Sequence, residues 1–558
     1  MPLMGSFYVG LSGLQTGQNA LNTTAHNLSN IDTEGYTRQQ TLLATRRYNT
    51  LKKDYQAVSN QEIGLGVLYA ASRQVRDVFL DKTFRKESGR SAFYEVQANS
   101  LEEVENLLGE MEGENFQKTV SDLWTAVQEL AKDPGNSVNQ GLLVQSCSAF
   151  VDRSKAVYQA LEDYQNNLNR QVYDKVTKIN EYGKQLVELN DKIRQIEITN
   201  TRINNLEINE RANDLRDTRN AILDELSKLC DITFEEAIDT NVSVQIEGID
   251  FVKMDRFFEI GLDVDETTGF YTPFWPQNAQ YRVMADGSKQ YDIRNAEVFD
   301  LSREISSDLD TDIGELKSIL LARGDHRADY TDVKDANYNS TVSQSIVMNV
   351  QGEFDQMVHN IVTAINDIMA KTEYMKDVNG EPLQMFKKIT TDGYVMDTDP
   401  TSPTYNQWVL KPEDENYKDS LYTVKNLMIN VTLQQNPGRL SFRTADQRID
   451  YDTAEALKLA FTEEKYNLNP NVKKTVNFID YYQDLVAQVA NSGYVYRAFA
   501  TNQEATVEAA SYAREQVVGV ASDEELSNMI RFQNAYNASS RYINVIDEML
   551  EHLIDKLG

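Results

Sequence analysis

The sequence is poor in cysteine, in basic residues and in long apolar runs, and each deficit excludes a class of protein. Its two cysteines, Cys147 and Cys230, are too few for a disulfide framework and lack zinc-type spacing. Asp and Glu number 86 against 55 Lys and Arg, a net charge of −31, which disfavours nucleic-acid binding because phosphates are neutralised by basic side chains. No run of about 18 apolar residues occurs, so we expect no membrane-spanning helix.

Patterns that indicate catalysis or metal binding are also missing. The chain has four histidines: His26, His326, His359 and His552. None has a second histidine at helical ligand spacing, and no phosphate-binding loop is present. Asp392, Asp397 and Asp399 are spaced loosely like a calcium loop, but the order of ligands and glycine in an EF-hand is absent. We therefore expect no enzymatic activity, no metal and no cofactor.

The first 31 residues contain no charged side chain, although a quarter of the whole chain is charged. Apolar residues recur there every three or four positions, the 3.5-residue period of a coiled-coil seam. The seam positions are Met4, Phe7, Leu11, Leu14, Gln18, Leu21, Ala25 and Leu28. Gly5, Gly10, Gly13 and Gly17 each cost about 1 kcal/mol of helix stability relative to Ala. The sequence thus predicts a helix that needs a partner in order to form.

The C-terminal end repeats the same period. Its seam positions are Met529, Phe532, Tyr536, Ser539, Ile543, Ile546, Leu550, Leu553 and Leu557. Ser522 followed by Glu525 has the spacing of a capping box, and Asp523 and Glu524 place further negative charge at the predicted N-terminus of this helix. Two interpretations of these terminal helices remain open: a helical hairpin that closes a core within the molecule, or a surface that packs against other molecules. The lack of charge in the N-terminal segment favours the second.

The interior predicts a mainly α fold with β-rich inserted domains. Helical stripes run from Tyr94 to Leu130 and from Leu161 to Ile203, and Asp133-Pro134-Gly135-Asn136 predicts a turn that ends the first of them. Strand-like alternation begins near Asn241, and Asp286-Gly287 predicts a hairpin turn. We divide the chain into a terminal coiled-coil domain, a rod-like helical bundle, a β-rich segment and a smaller outer β-rich domain. The terminal coiled-coil domain comprises residues 1–45 and 515–558, and the helical bundle comprises 46–240, 312–375 and 476–514. The β-rich segment is 241–311, and the outer β-rich domain is 376–475.

Two terminal segments resemble those of flagellar rod, hook and hook-associated proteins. The N-terminal one runs from Ala25 to Arg38 (AHNLSNIDTEGYTR), and it departs from the family pattern at His26, where Asn is usual. The C-terminal one begins at Gly519 (GVASDEEL). The N-terminal motif residues are Ala25, Asn27, Leu28, Ser29, Asn30, Thr33, Gly35 and Tyr36. Residues 213–227 (NDLRDTRNAILDELS) resemble the hook-associated branch of this family, in particular its subunit between hook and filament.

The resemblance implies a structural subunit of the bacterial flagellum whose terminal helices stay disordered in the monomer and order on polymerisation into an axial tube. It implies contacts with further copies, with the flagellar hook protein and with hook-associated protein 3, and a cytoplasmic export chaperone on the C-terminal region. It also implies type III export to the extracellular flagellum. The absence of a basic and then apolar leader fits this route, because no cleaved signal peptide is expected.

Two other classes of protein remain as alternatives. A secreted coiled-coil adhesin could use the β-rich segment to contact a ligand, but it would need an anchor or a conventional signal. A wall hydrolase would need an inserted domain with a recognisable acid or metal site. Neither requirement is met by a pattern in the sequence.

Overall fold

The computed structural model describes residues 2–33, 35–46, 49–52, 61–109, 116–199, 212–284, 289–372, 375–377, 380–444 and 446–557. The α-helices are α1 (Pro2–Ser29), α2 (Val78–Gly109), α3 (Phe116–Lys132), α4 (Ser137–Thr199), α5 (Asn213–Leu229), α6 (Glu315–Arg323), α7 (Tyr330–Lys334), α8 (Tyr338–Thr341), α9 (Ile346–Ala370), α10 (Val431–Gln435), α11 (Tyr451–Thr462), α12 (Phe478–Val518) and α13 (Ser522–Leu557).

The strands are short. They are β1 (Gln39–Thr45), β2 (Asn49–Lys52), β3 (Gln61–Ile63), β4 (Val67–Gln74), β5 (Ile232–Glu236), β6 (Val242–Ile246), β7 (Ile249–Lys253), β8 (Arg256–Phe257), β9 (Gly261–Val264), β10 (Tyr271–Phe274), β11 (Gln280–Val283), β12 (Lys289–Asp292), β13 (Phe386–Lys388), β14 (Tyr394–Met396), β15 (Trp408–Leu410) and β16 (Leu427–Ile429). All described pairs are antiparallel, and β5 to β8 form a four-stranded sheet. The predicted fold class is confirmed.

Long helices form the body because their apolar stripes share one core. α4 runs for 63 residues, about 95 Å at 1.5 Å per residue, and it packs on α3, α5 and α6. The ring of Phe116 lies 4.9 Å from those of both Phe354 and Tyr482, so α3, α9 and α12 meet at one aromatic cluster. The turn predicted at Asp133-Pro134-Gly135-Asn136 separates α3 from α4.

Two helices from opposite ends of the chain, α2 and α12, run antiparallel along the body. The Tyr482 hydroxyl donates to the carbonyl of Leu108 at 2.7 Å near one end of the pair. The Arg514 guanidinium lies 3.8 Å from the centre of the Phe84 ring near the other end. The C-terminal part of the chain therefore returns beside its N-terminal part, as expected for a fold whose middle is inserted outward.

Of the strands and turns predicted between residues 241 and 311, some can be compared with the structure and some lie outside the described residues. β6 has the predicted alternation, with Val242, Val244 and Ile246 buried. The predicted turn at Asp286-Gly287 lies outside the described residues, but β11 and β12 pair on either side of it. The proposed end of the long helical stripe at Ile203 also lies outside them.

The chain between the N-terminal helix and the body differs from the prediction. The predicted helical bundle begins at residue 46 and its first range extends to 240, yet the described residues before Val78 include β2, β3 and β4. β4 pairs with β1 from Gln39↔Gln74 to Thr45↔Val67. The ladder contains a bulge at Leu42/Leu43, and one side of it packs on α1. These are contacts between distant residues, which a local pattern does not reveal.

The segment 376–475 holds four strands, β13 to β16, in two separate pairs. It also contains α11, whose Phe461 stacks on Trp124 of α3 at 5.8 Å between ring centres. Buried Leu433, Phe442 and Phe461 belong to the same apolar cluster as the long helices. The boundaries of an outer β-rich domain here stay a prediction.

Candidate assembly site

The two terminal helices form an antiparallel pair whose contact line on α1 is made of small residues. A Cβ atom at Gly10 would lie 2.7 Å from Cγ1 of Ile543, and one at Gly17 would lie 3.4 Å from the backbone of Tyr536. Between them Gly13 faces the Ser539 side chain. Glycine lets the two backbones approach closely, so the residues that weaken α1 in isolation are those that fit it against α13.

The seam predicted for α1 lies beside this contact line. Its described apolar members are only half-buried, namely Phe7, Leu11, Leu14, Leu21 and Leu28, and Ala25 is exposed. The buried positions of α1 are instead small or polar: Gly10, Ser12, Thr16, Gly17, Ala20, Thr24 and Asn27. The side chain of Met4 lies outside the described residues. The structure thus leaves a stripe of large apolar side chains along one flank of α1.

The seam predicted for α13 faces α1. Ile546 is buried, and six further members are partly buried: Met529, Phe532, Tyr536, Ser539, Ile543 and Leu550. Leu553 is exposed. A second row of apolar residues on α13 is open to solvent: Tyr542, Val545, Met549 and Leu553. Both helices of the pair therefore carry apolar surface that the single chain does not cover.

The N-terminal motif forms the joint between this pair and the body, and Asn27 is its centre. The Asn27 amide nitrogen donates to the backbone carbonyl of Gln39 at 2.8 Å and to Oε2 of Glu525 at 3.1 Å. Its Oδ1 accepts from the Tyr36 hydroxyl at 2.8 Å and from the Gln39 amide at 3.0 Å. A buried side-chain amide with both groups paired fixes the local geometry, because each unpaired partner would cost about 1–3 kcal/mol.

Arg38 binds the C-terminal motif to the same joint. Its Nε lies 2.9 Å from Oε1 of Glu525, and Nη1 lies 2.8 Å from the carboxylate of Glu524. Its backbone amide donates to the carbonyl of Val518, the last residue of α12. The predicted capping-box partner Glu525 thus directs both carboxylate oxygens to the N-terminal motif. Glu524 stays largely exposed.

The third segment, residues 213–227, meets the other two at this joint. Oδ1 of Asp217 accepts from the Gln74 amide at 2.7 Å, and Oδ2 accepts from the backbone of Thr37 at 3.4 Å. Burial raises the pKa of the Tyr36 hydroxyl, and the carboxylates of Asp217, Asp214 and Glu525 raise it further. The phenol therefore stays protonated and donates to Asn27.

The remaining motif residues build the turn after α1. Asn30 donates to the carbonyl of His26 at 3.0 Å, and Thr33 donates to the side chain of Asn30 at 3.2 Å. Ser29 donates back to the carbonyl of Ala25. Gly35 has φ +77°, a conformation that other residues adopt at a cost. The turn brings Tyr36 back onto Asn27.

A second charged cluster, which the sequence did not single out, anchors α12 to the body. Asp224 accepts from Nε of Arg85 at 2.6 Å and from Nη1 of Arg514 at 2.8 Å. The Arg85 guanidinium also lies 4.3 Å from the centre of the Phe234 ring. The alternating Asp and Arg of the 213–227 segment was a signal for such pairing, but the partners lie far away in sequence.

Two of the histidines have structural partners. His326 lies 2.6 Å from Asp325 and 3.4 Å from Asp332, and His359 stacks on the Tyr330 ring. Within the described part of the chain, no group of three or more His, Cys, Asp or Glu side chains could hold a metal ion. Asp397 and Asp399 accept hydrogen bonds within their own turn. No described helix is long and apolar enough to cross a membrane.

The three segments that meet at this joint lie in regions that match known flagellar protein families. Residues 101–384, slightly more than half of the chain, match the flagellar hook-associated protein FlgK helical domain. Residues 7–37 match the flagella basal body rod protein family, and residues 516–556 match the flagellar basal body rod FlgEFG protein C-terminal family. The two terminal matches include the motifs that meet at the joint.

Whole-length relatives agree with these matches. The chain is 24% identical to flagellar hook-associated protein 1 of Bacillus subtilis, with 100% of this chain and 99% of the relative covered. It is 22% identical to the protein of the same name from Salmonella typhimurium, with 98% of each covered. The fold is also similar to that of the flagellar hook junction protein FlgK from Burkholderia pseudomallei, with a TM-score of 0.52 and 11% identity over 78% of this chain and 100% of the other. The chain belongs to the family of flagellar hook-associated protein 1, FlgK, and is a structural component of the flagellum.

Proposed function

We propose that the chain is a subunit of the junction between hook and filament and that it assembles through apolar stripes on its two terminal helices. The observation that carries this proposal is the unpaired apolar surface on the α1–α13 pair. Its α1 stripe consists of Phe7, Leu11, Leu14, Leu21 and Leu28. Its α13 stripe consists of Tyr542, Val545, Met549 and Leu553.

The two stripes lie on opposite faces of the helix pair. At 3.6 residues per turn, each stripe is rotated by about 100° from the line on its own helix that meets the partner helix. Because the helices are antiparallel, this rotation carries the α1 stripe to one face and the α13 stripe to the other. Different surfaces on opposite faces form head-to-tail contacts between copies, and such contacts build rings or helical assemblies.

Assembly then supplies the stability that the terminal helices lack alone. Burial of apolar surface contributes about 25 cal/mol per Å², whereas ordering each residue costs about 1–2 kcal/mol of backbone entropy. A helix with four glycines in its first 17 residues gains little from intrinsic propensity. We therefore propose that α1 and α13 are marginally ordered in the free chain and become rigid when neighbours cover the stripes.

The neighbours in this proposal are further copies of the chain, the flagellar hook protein and hook-associated protein 3, with an export chaperone on the C-terminal region before assembly. The extracellular location and type III export belong to the same proposal, as does a purely structural role without catalysis. Its support is family membership together with terminal surfaces that need a protein partner.

The test is a charge placed on the α13 stripe. Met549, exposed for 53% of its surface, is replaced by Glu, and the variant is produced in a bacterial strain from which the wild-type protein has been deleted. The amount of variant bound to isolated hooks is compared with the amount released to the medium. We expect M549E to be exported but lost from hooks. The matched control is V138E on α4, where an exposed apolar residue on the body receives the same charge. Incorporation of M549E at the level of V138E would refute the stripe as an assembly surface.

A further inference from the structure

The β1–β4 hairpin has the opposite charge to the rest of the chain. Residues 39–74, which we call the arm, contain five Lys and Arg against two Asp and Glu, whereas the whole chain carries −31. Its cations with described side chains are Arg46, which follows the last pair of the β1–β4 ladder, and Arg73, which pairs with Gln40 near the other end. Neither forms an ion pair with any carboxylate among the described residues; Arg73 donates only to the Gln40 side chain. Arg46 and Arg73 therefore present positive charge that no described carboxylate of the same molecule neutralises.

The arm is also incompletely packed. Its two strands lie along α1, where a Cβ on Gly66 would lie 3.2 Å from the Val9 backbone. The exposed side of the ladder includes Arg73 and Leu43, whose exposed fraction is 49%. A two-stranded ribbon is marginally stable by itself and leaves backbone groups unpaired along both edges. A partner on the outward side would stabilise it.

The C-terminal half of α13 has the complementary charge. Asp547, Glu548, Glu551 and Asp555 lie on one side of the helix and are exposed. No described cation forms an ion pair with them, and Asp555 lies in the last turn of α13, where the helix dipole disfavours negative charge. Positive side chains from elsewhere would relieve both effects.

The arm cannot serve this surface in its own molecule. On α1, the residues beside the arm are rotated by about 100° from the line that meets α13, in the direction opposite to the α1 stripe. The acidic side of α13 is rotated by a similar angle from the line that meets α1, in the direction opposite to the α13 stripe. The arm and the acidic side therefore lie on opposite faces of the α1–α13 pair, as the two apolar stripes do.

We propose that the arm of one copy docks on the acidic C-terminal half of α13 in a neighbouring copy. The molecule that binds the arm is a second copy of this chain, because the basic arm and the acidic side of α13 lie on opposite faces of the helix pair. When two copies stack face to face in the same orientation, the arm of one molecule meets the acidic side of the next. The contact joins Arg46 and Arg73 to the row that contains Glu548 and Glu551. It rests on the proposed assembly through the terminal helices, and it adds a charged contact beside the apolar one.

Charge reversal with rescue tests the contact. The three proteins are R46E/R73E, E548K/E551K and the variant that combines all four changes, each supplied to a strain without its own copy. The quantity measured is the protein held on isolated hooks, divided by the total exported. We expect each reversed pair to lower this ratio roughly fivefold, since exposed ion pairs contribute modestly, and the combination to restore it to at least half of the wild-type value.

The controls separate this inference from the proposed function. If the wild-type chain itself does not associate with hooks, the proposed function fails. If the wild-type chain does and R46E/R73E matches it, or if the combined variant is no better than either pair, the arm contact is wrong. Circular dichroism of the purified variants identifies any that fail to fold. If one does, the contact is tested instead by disulfide cross-linking in a variant that carries R46C and E551C. Disulfide-linked copies on hooks are then expected, and their absence would contradict the contact. Cys147 and Cys230 are buried and do not interfere.

Discussion

Arg38 and Glu525 join the two ends of the chain, because the guanidinium Nε lies 2.9 Å from a carboxylate oxygen 487 residues further along. The same carboxylate accepts from Asn27. The contact between the N-terminal motif and the start of α13 therefore depends on the Glu525 side chain. The structure gives the family's two terminal motifs a common physical role, which is to fix the direction in which the terminal helices leave the body.

The first prediction concerns this joint. The Glu525 side chain is 3% exposed, and E525Q removes the charge that Arg38 and Asn27 share. Hydrogen bonds to charged groups contribute about 1.5–3 kcal/mol, so amide exchange at Arg38 and Gln39 should accelerate by roughly tenfold or more. Glu524, which is 63% exposed and also pairs with Arg38, provides the matched control. E524Q should change exchange by no more than about twofold; equal effects of the two variants would contradict this role of Glu525.

The second prediction reverses the usual effect of replacing glycine in a helix. Alanine favours helix by about 1 kcal/mol, but at Gly10 its Cβ would lie 2.7 Å from Ile543. We expect G10A to weaken the α1–α13 pair and reduce the protein on hooks. Gly141 in α4 has no atom within 4 Å of the added Cβ, so G141A should raise the free energy of unfolding by about 0.5–1 kcal/mol. A G10A variant that behaves like G141A would show that the glycine line is not a close contact.

The third prediction is a pH dependence of stability from a buried carboxyl. Glu353 of α9 accepts hydrogen bonds from Asn469 and Gln488, and burial raises its pKa to about 7. Between the ordinary carboxyl pKa of 4.5 and the raised pKa of about 7, the folded protein therefore binds a proton that the unfolded chain releases. The free energy of unfolding should be greatest near pH 4 to 5 and should fall by up to a few kcal/mol as pH rises through 7.

The matching variant is E353Q, since glutamine has the shape of the neutral acid and keeps an acceptor for Asn469 and Gln488. Urea unfolding midpoints at pH 5, 6, 7 and 8 should change less with pH in this variant than in the wild type. Some slope should remain, because burial also raises the pKa of Asp355 to about 7. An unchanged slope in E353Q would show that Glu353 does not titrate in this range.

The fourth prediction concerns the two cysteines. Both are fully buried, and burial raises the pKa of each thiol. Because the thiolate is the reactive form, native protein should resist alkylation. The label should appear at Cys147 and Cys230 only when the body unfolds, with a midpoint that matches circular dichroism. Fast labelling of either thiol in native protein would contradict its burial.

The sequence predicted elements well where a local period governs them. The seam of α13, the alternation of β6 and the turn at Asp133-Pro134 all follow from residues close together in the chain. On α1 the apolar period was real, but the line that meets α13 is Gly10, Gly13 and Gly17. Hydrophobicity does not reveal a contact made by the absence of side chains.

The joint itself could not be derived from the residues alone. Asn27, Arg38 and Glu525 were noticeable as members of motifs, yet nothing local relates residue 27 to residue 525. The same holds for Asp224, which holds Arg85 and Arg514 from two other helices. The β1–β4 hairpin was missed for a similar reason, since its ladder is stabilised by α1.

Assembly-coupled ordering of the terminal helices is the central claim, and hydrogen exchange tests it most directly. Backbone exchange of α1 and α13 is measured in the free chain and on hooks, with α4 as the internal reference. We predict rapid exchange of both terminal helices in the free chain, slow exchange of α4, and strong protection of all three after assembly. Terminal helices protected as well as α4 in the free chain would show that the pair is an ordinary part of the folded monomer and would contradict the account.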